Sequence, residues 1–189
     1  MDTTSGPWIE TFTGKRFFPS QPEFNVFDIA HALSMTCRYG GHCNRFYSVA
    51  EHSVLVVNIM HTLFGKDCDL MEGLLHDGVE AYLSDVPKPF KQLLTDWSKL
   101  EDRFDLTLRQ HFRLPWIKTA ECHLADQIAL LIEARTLMPS KGTGPGWDLW
   151  TTDRARLEAS KWIEDVKCLT PIEAESLFLS EFFINADST

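Results

Sequence analysis

The chain has 189 residues, 44% of them hydrophobic and 24% charged, with a formal net charge of -9, a length and balance that suit one domain closing a single core. The negative balance comes without a long acidic run, so it reads as a solvated surface, and it leaves too little basic surface for a nucleic-acid polymer. The five cysteines, Cys37, Cys43, Cys68, Cys122 and Cys168, are odd in number and never spaced as C-x-x-C, which speaks against a disulfide framework or a thiolate zinc cluster and predicts reduced thiols in a cytosol.

In chain order, residues 1–7 lack the basic start and apolar run of a signal peptide, and no stretch approaches ~20 apolar residues, so a soluble intracellular protein is expected. Residues 8–18 alternate around Thr13-Gly14 and are closed by Pro19 and Pro22, the pattern of a short hairpin or extended arm. A helix starts at Asn25, a capping residue with Asp28 three places on, and runs through Val26, Ile29, Leu33 and Cys37 until Gly40-Gly41. Ser48-Val49-Ala50-Glu51 reads as a capping box. It opens a second helix whose apolar face, Val49, Val56, Ile59, Met60 and Leu63, also carries His52. The third helix, 69–83, holds His76-Asp77 in an apolar run and is ended by Asp85-Val86-Pro87-Lys88-Pro89, whose prolines bar further helix. A more polar fourth follows over 90–112. Thr119 caps a fifth that reaches Pro139 and turns Asp126 inward. Residues 140–147 form a Gly/Pro-rich loop, 148–169 are open between helix and loop, and Thr170-Pro171-Ile172-Glu173 starts the last helix. These elements predict an all-α bundle: an N-terminal arm, 1–24, and one domain, 25–189, with its chemistry within about 25–139.

Ionisable side chains on core-facing helices need a partner. Taken singly, His52 reads as a hydrogen-bonded core residue, Asp126 as a dipole-favoured residue in the first turns of its helix, and Asp77 with Glu80 as a solvated pair. Taken together, His52, His76, Asp77 and Asp126 bring two imidazoles and two carboxylates from three helices, and neighbours on a helix differ by about 100°, so His76 and Asp77 can flank one ion. Such a mixed N/O set is too hard for copper and too nitrogen-rich for calcium; Mn, Co, Zn, Fe and Mg stay open. Glu80, one turn after His76, points to the same rim and is assigned to orienting water or moving a proton. His31, His42 and His61 have no such setting and read as structural or exposed.

The order His52, His76-Asp77, Asp126 resembles the signature of the HD superfamily of metal-dependent phosphohydrolases. The run His76-Asp77-Gly78-Val79-Glu80 followed by Asp85-Val86-Pro87 is similar to small bacterial and phage HD proteins that act on nucleotides, bacterial 5'-deoxynucleotidases among them. Arg38 stands where those proteins carry an arginine ahead of the first metal histidine. The resemblance implies an HD-type helical bundle with Asp85 working beside the leaving group, and Arg38 and Lys91, with Lys88 as a third candidate, on the phosphate oxygens. It also implies a single divalent ion, because two-metal relatives need further histidines between the HD pair and the last aspartate, where only His111 and His123 lie. The implied reaction is hydrolysis of a deoxynucleoside 5'-monophosphate. The alternative is triphosphate release from a dNTP, with Arg45, Lys15 and Arg16 as the extra cations; an HD-type oxygenase or a catalytically silent nucleotide-binding module is remoter. The expected partner is a small nucleotide in the cytoplasm, that of the host if the gene is a phage's, with no nucleic-acid polymer and no membrane, and with self-association open. Trp8, Phe18, Tyr39, Tyr82 and Phe90 can each stack on a base or fill core, so base identity is not readable.

Overall fold

The computed structural model describes residues 6–163 and 166–186; residues 1–5, part of the stretch read for a leader, lie outside them. Two short strands, β1 (Ile9–Glu10) and β2 (Arg16–Phe17), pair antiparallel with Ile9 opposite Phe17. The turn between them is pinned to the body of the protein, because Thr13 donates its N–H and hydroxyl to the two carboxylate oxygens of Asp28 at 2.7 and 3.0 Å. Phe17 enters the core, stacked 4.0 Å from Tyr82 and edge-on to Phe104. Residues 8–18 are therefore a docked hairpin.

Helix α1 (Val26–Met35) starts where Asn25 accepts the N–H groups of Phe27 and Asp28, and α2 (Val49–Phe64) where the Ser48 hydroxyl accepts that of Glu51. The expected capping box at Ser48 is only half made. Glu51 does not reach back; its carboxylate accepts the backbone N–H groups of Lys167, Cys168 and Leu169 at 3.0, 2.9 and 2.7 Å. Both acidic residues three places after a cap thus serve tertiary contacts, Asp28 to the hairpin and Glu51 to the segment before the last helix.

The helix expected over 69–83 is broken at its centre into α3 (Leu70–Leu75) and α4 (Glu80–Leu83). Across the break the Gly78 N–H bonds Leu75 O at 2.8 Å and the Glu80 N–H bonds Asp77 O at 2.9 Å, a three-residue spacing that tightens the turn around His76-Asp77. Gly78 permits it, since a Cβ there would stand 2.8 Å from Leu108 and 3.0 Å from Leu75 O. The prolines after it do not bar helix as expected: α5 (Lys88–Lys91) carries Pro89 in its first turn, where the missing N–H costs nothing. The helix expected from residue 90 begins afresh as α6 (Thr95–Phe112).

Thr119 caps α7 (Ala120–Leu137) on the Cys122 N–H. The described part of the region left open, 148–163 and 166–169, holds α8 (Asp153–Lys161), capped by Thr152; residues 164–165 lie outside the described residues. In α9 (Pro171–Ala186) the box closes both ways, Thr170 N–H to Glu173 Oε2 at 2.8 Å and Glu173 N–H to Thr170 Oγ1 at 3.4 Å. The fold is all-α, with α2 at its centre. One side of α2 (Val49, Val54, Val57) packs with α1, α3 and α9 around Leu33, Leu74 and Phe178; the other (Val56, Ile59, Met60) packs with α7 and α8 around Ile128 and Ile132. Gly73 lets α3 approach α2, for a Cβ there would lie 2.6 Å from Met60 Sδ. Glu72, fully buried, accepts from Arg109 at 3.1 Å and from the Thr119 N–H at 3.0 Å, joining α3, α6 and the start of α7. No helix among the described residues is long and apolar enough to cross a membrane.

Candidate metal centre and the cavity beside it

His52 sits one turn into α2, His76 and Asp77 in the tight turn after α3, and Asp126 two turns into α7, so the three packed elements converge on one point. His52 Nε2 lies 3.2 Å from His76 Nε2 and 3.5 Å from both Asp77 Oδ2 and Asp126 Oδ1, and His76 Nε2 lies 3.2 Å from Asp77 Oδ2 and 3.9 Å from Asp126 Oδ1. Ligand atoms about 2.1 Å from a common cation are separated by roughly 3.0 to 3.5 Å, the range of all these separations but the 3.9 Å between His76 and Asp126. His52, His76 and Asp126 form a group that could hold a metal ion.

The hydrogen bonds behind the imidazoles fix what they present. His76 Nδ1 faces the Gly73 carbonyl at 2.8 Å, which can only accept, and His52 Nδ1 faces Glu133 Oε1 at 2.6 Å. Each ring therefore donates from Nδ1 and turns its Nε2 inward; burial and Arg38 oppose charge on His52, but Glu133, Asp126 and Asp77 hold its pKa well above the ordinary imidazole value. The two Nε2 atoms 3.2 Å apart, with the carboxylates of Asp77 and Asp126 beside them, form a mixed N/O donor set whose chemistry fits a divalent ion in place of the proton they share. Burial opposes ionisation of Asp126, yet the Lys118 ammonium at 2.9 Å and the His52 hydrogen bond hold its carboxyl well below the usual carboxylate range. Asp77 is likewise held low against burial, by His76 and His52.

A cavity of about 410 Å³ opens beside the cluster. Every remaining predicted site residue lines it: Arg38, Glu80, Asp85, Lys88 and Lys91. Arg38, in the 3-10 turn Arg38–Gly41, is buried with Nε on Glu133 Oε2 at 3.1 Å and Nη1 3.5 Å from Asp77. Lys91 bonds Glu101 at 2.5 Å and Glu80 Oε1 at 3.3 Å, while Lys88 places its ammonium 5.7 Å over the Trp150 ring. Burial, then the charges of Asp77 and Asp85, pushes the Glu80 carboxyl well above its ordinary value against the pull of Lys91 and Arg38. Its buried Oε2 has no hydrogen-bond partner among the described residues.

Other expectations do not converge. Arg45, Lys15 and Arg16 are not part of the cavity wall; Arg16 lies 4.7 Å over Trp8. Of the five aromatic residues considered for stacking, only Tyr39 lines the cavity, with its hydroxyl on Glu133 at 2.7 Å. Tyr82 belongs to the core and Phe90 is exposed. His123 lines the cavity but accepts on Nε2 from Gln127 at 2.9 Å.

Three sets of residues escaped the sequence. Glu133, fully buried, receives His52, Arg38 and Tyr39 together. It follows Asp126 by two helical turns, so helical spacing alone puts both on one face. Lys118 comes from the loop ahead of α7 and Trp147 and Trp150 from the glycine-rich segment, where no periodicity marks an inward side chain. No protein-family model matches the chain. It is 38% identical over 133 residues, 69% of this chain and 72% of the relative, to the uncharacterized protein YfdR of Escherichia coli. It is 31% identical over 137 residues, 68% of this chain and 69% of the relative, to the uncharacterized protein RCAP_rcc00048 of Rhodobacter capsulatus.

Proposed function

The chain belongs to the family of Escherichia coli YfdR, and we propose that it is a metal-dependent phosphohydrolase of the HD type that converts deoxynucleoside 5'-monophosphates to deoxynucleosides and phosphate. The charge balance of the cavity carries this reading. Its wall holds four cations, Arg38, Lys88, Lys91 and Lys118, and four carboxyl groups, Asp77, Glu80, Asp85 and Asp126. One divalent ion on this set leaves a net positive charge whether Glu80 is ionised or holds its proton, the complement of a phosphate-monoester dianion. A triphosphate carries more charge than such a site returns, and the extra cations it needs are not in the wall.

His52, His76, Asp77 and Asp126 would hold the ion. When bound, it supplies Lewis acidity, neutralising phosphoryl charge and making a water more acidic. The remaining work falls to side chains already in place. Arg38, fixed through Nε by Glu133, offers its outer N–H groups to phosphoryl oxygens, a fork an ammonium does not reproduce. Lys118 and Lys91 add positive charge around the same oxygens. Hydrolysis forms a bond from a water oxygen to phosphorus and breaks the bond to the 5' oxygen, which must gain a proton. Glu80, whose raised pKa lets it keep a proton nearer neutrality, moves that proton, with Asp85 beside it on the leaving-group side.

The test is product analysis over a panel of deoxynucleoside mono- and triphosphates with Mn, Co, Zn and Mg. The expected product is orthophosphate from the monophosphates, lost on chelation, and Glu80→Gln should keep the metal while lowering turnover roughly 10²- to 10⁴-fold. Triphosphate release from dNTPs would overturn the monophosphate reading, and no product from any nucleotide with metal-loaded protein would overturn the hydrolase reading.

A further inference from the structure

The cavity has a second chemistry besides its ions. Trp147 and Trp150 are both half-buried in its wall, with Leu130, Val86, Pro87 and Pro89 supplying the other apolar contacts. Neither indole stacks on another aromatic ring among the described residues, and both line the cavity. Together they give the cavity an aromatic wall on which a flat apolar group can lie.

These rings are not on a loose loop. Thr152 donates its N–H and hydroxyl to Gln127 Oε1 at 2.9 and 3.0 Å, which fastens the segment to α7 at the residue next to Asp126. Trp147 Nε1 bonds Ser140 Oγ at 3.2 Å, and the Thr151 hydroxyl returns to the Trp147 carbonyl. Glycines at positive φ, Gly142 at 70°, Gly144 at 99° and Gly146 at 103°, turn the backbone so that the 3-10 turn Trp147–Leu149 can present its first residue to the cavity. The Lys88 ammonium over Trp150 ties α5 to the same wall.

We propose that Trp147 and Trp150 form a subsite for the flat aromatic group of the alcohol being released, a nucleobase, so that choice of substrate is made by a segment outside the metal-binding helices. This rests on the phosphohydrolase reading above for the ester it discriminates. A cavity lined by cations and by indoles recognises a molecule with an anion and a π-face. A sugar phosphate without a base satisfies only the first.

The experiment compares kcat/KM for deoxyadenosine 5'-monophosphate with that for 2-deoxyribose 5-phosphate, which has the same sugar and phosphate and no base. The natural chain should favour the nucleotide by roughly 5- to 100-fold, the range for stacking of a base on aromatic side chains. In Trp147→Ala with Trp150→Ala that ratio should fall toward one, whereas Trp150→Phe should keep most of it. If the double variant fails to fold, Trp150→Leu, which removes the ring but keeps apolar volume, takes its place. A ratio near one in the natural chain, or a high ratio unchanged by loss of the rings, overturns the subsite and leaves the hydrolase reading standing. If neither ester is hydrolysed, saturation-transfer NMR with deoxyadenosine decides the subsite independently of the reaction. Saturation of the base protons by the natural chain and not by the variant supports it, and its absence from both overturns it.

Discussion

Replacing Glu133 tests the reasoning most directly, because one carboxylate makes three buried contacts and none of them is to solvent. It accepts from His52 Nδ1 at 2.6 Å, Arg38 Nε at 3.1 Å and Tyr39 Oη at 2.7 Å. Burial opposes its ionisation, but the charges of Arg38 and His52 keep it below the ordinary glutamate range, so it is an anion at neutral pH. In Glu133→Ala the Arg38 guanidinium stays buried with only Asp77, at 3.5 Å, left as a counter-ion, and breaking such a buried pair costs about 3 to 5 kcal/mol. For a chain of this size each kcal/mol moves Tm by about 2 to 4 °C, so calorimetry should show a fall of roughly 6 to 20 °C. Glu133→Gln separates stability from metal binding. Its amide oxygen can still accept from His52, but the amide nitrogen then meets the Arg38 N–H, and the imidazole loses the anion that raises its basicity. Affinity for Mn or Co, measured by titration calorimetry, should fall on the order of 10- to 100-fold with the fold retained. Natural-chain affinity in the Gln variant would refute the claim that Glu133 prepares His52 as a ligand.

Elemental analysis of the purified protein should find about one divalent ion per chain, and Asp77→Ala should lose most of it; two ions per chain would end the single-ion reading. Glu72→Ala leaves buried Arg109 facing no carboxylate on α3, and urea denaturation should show a loss of about 3 to 5 kcal/mol, against less than 1 if the pair merely fills space. Gly78→Ala should be more damaging than Gly73→Ala, since its Cβ meets a backbone carbonyl as well as Leu108, whereas Gly73 meets a Met60 side chain that can move. Equal denaturation midpoints for the two would show that the turn after α3 is less crowded than its geometry implies.

The parts of the site that the sequence exposed are those where an ionisable group breaks an apolar pattern. His52 among Val49, Val56 and Ile59, and His76-Asp77 after Leu74-Leu75, stand out because burying them alone is unfavourable. Caps marked helix starts equally well at Asn25, Ser48, Thr119 and Thr170. The residue after the cap was less legible. The spacing that signals a local box is the same whether the acid turns back, as Glu173 does, or reaches across the fold, as Asp28 and Glu51 do. The break in the third helix was hidden for a similar reason: Gly78 is tolerated within a helix, and only packing against Leu108 makes it a requirement. Lys118, Trp147 and Trp150 reach the cavity from loops, whose direction is set by distant contacts such as Thr152 on Gln127.

The span bridged by Glu51 bears on how the protein is made. Glu51 leaves the ribosome more than a hundred residues ahead of Lys167, Cys168 and Leu169, whose N–H groups it must receive, and α9 is the last of the described helices to be synthesised. Until then the flank of α2 that carries Val54 and Val57 waits without Ala174 and Phe178 to cover it. Contacts so far apart in sequence form late and slowly, and an uncovered apolar flank is available to other nascent chains in the meantime. Loss of protein to aggregation during translation, rather than weak equilibrium stability, is where a lesion in the 167–186 segment would first be felt.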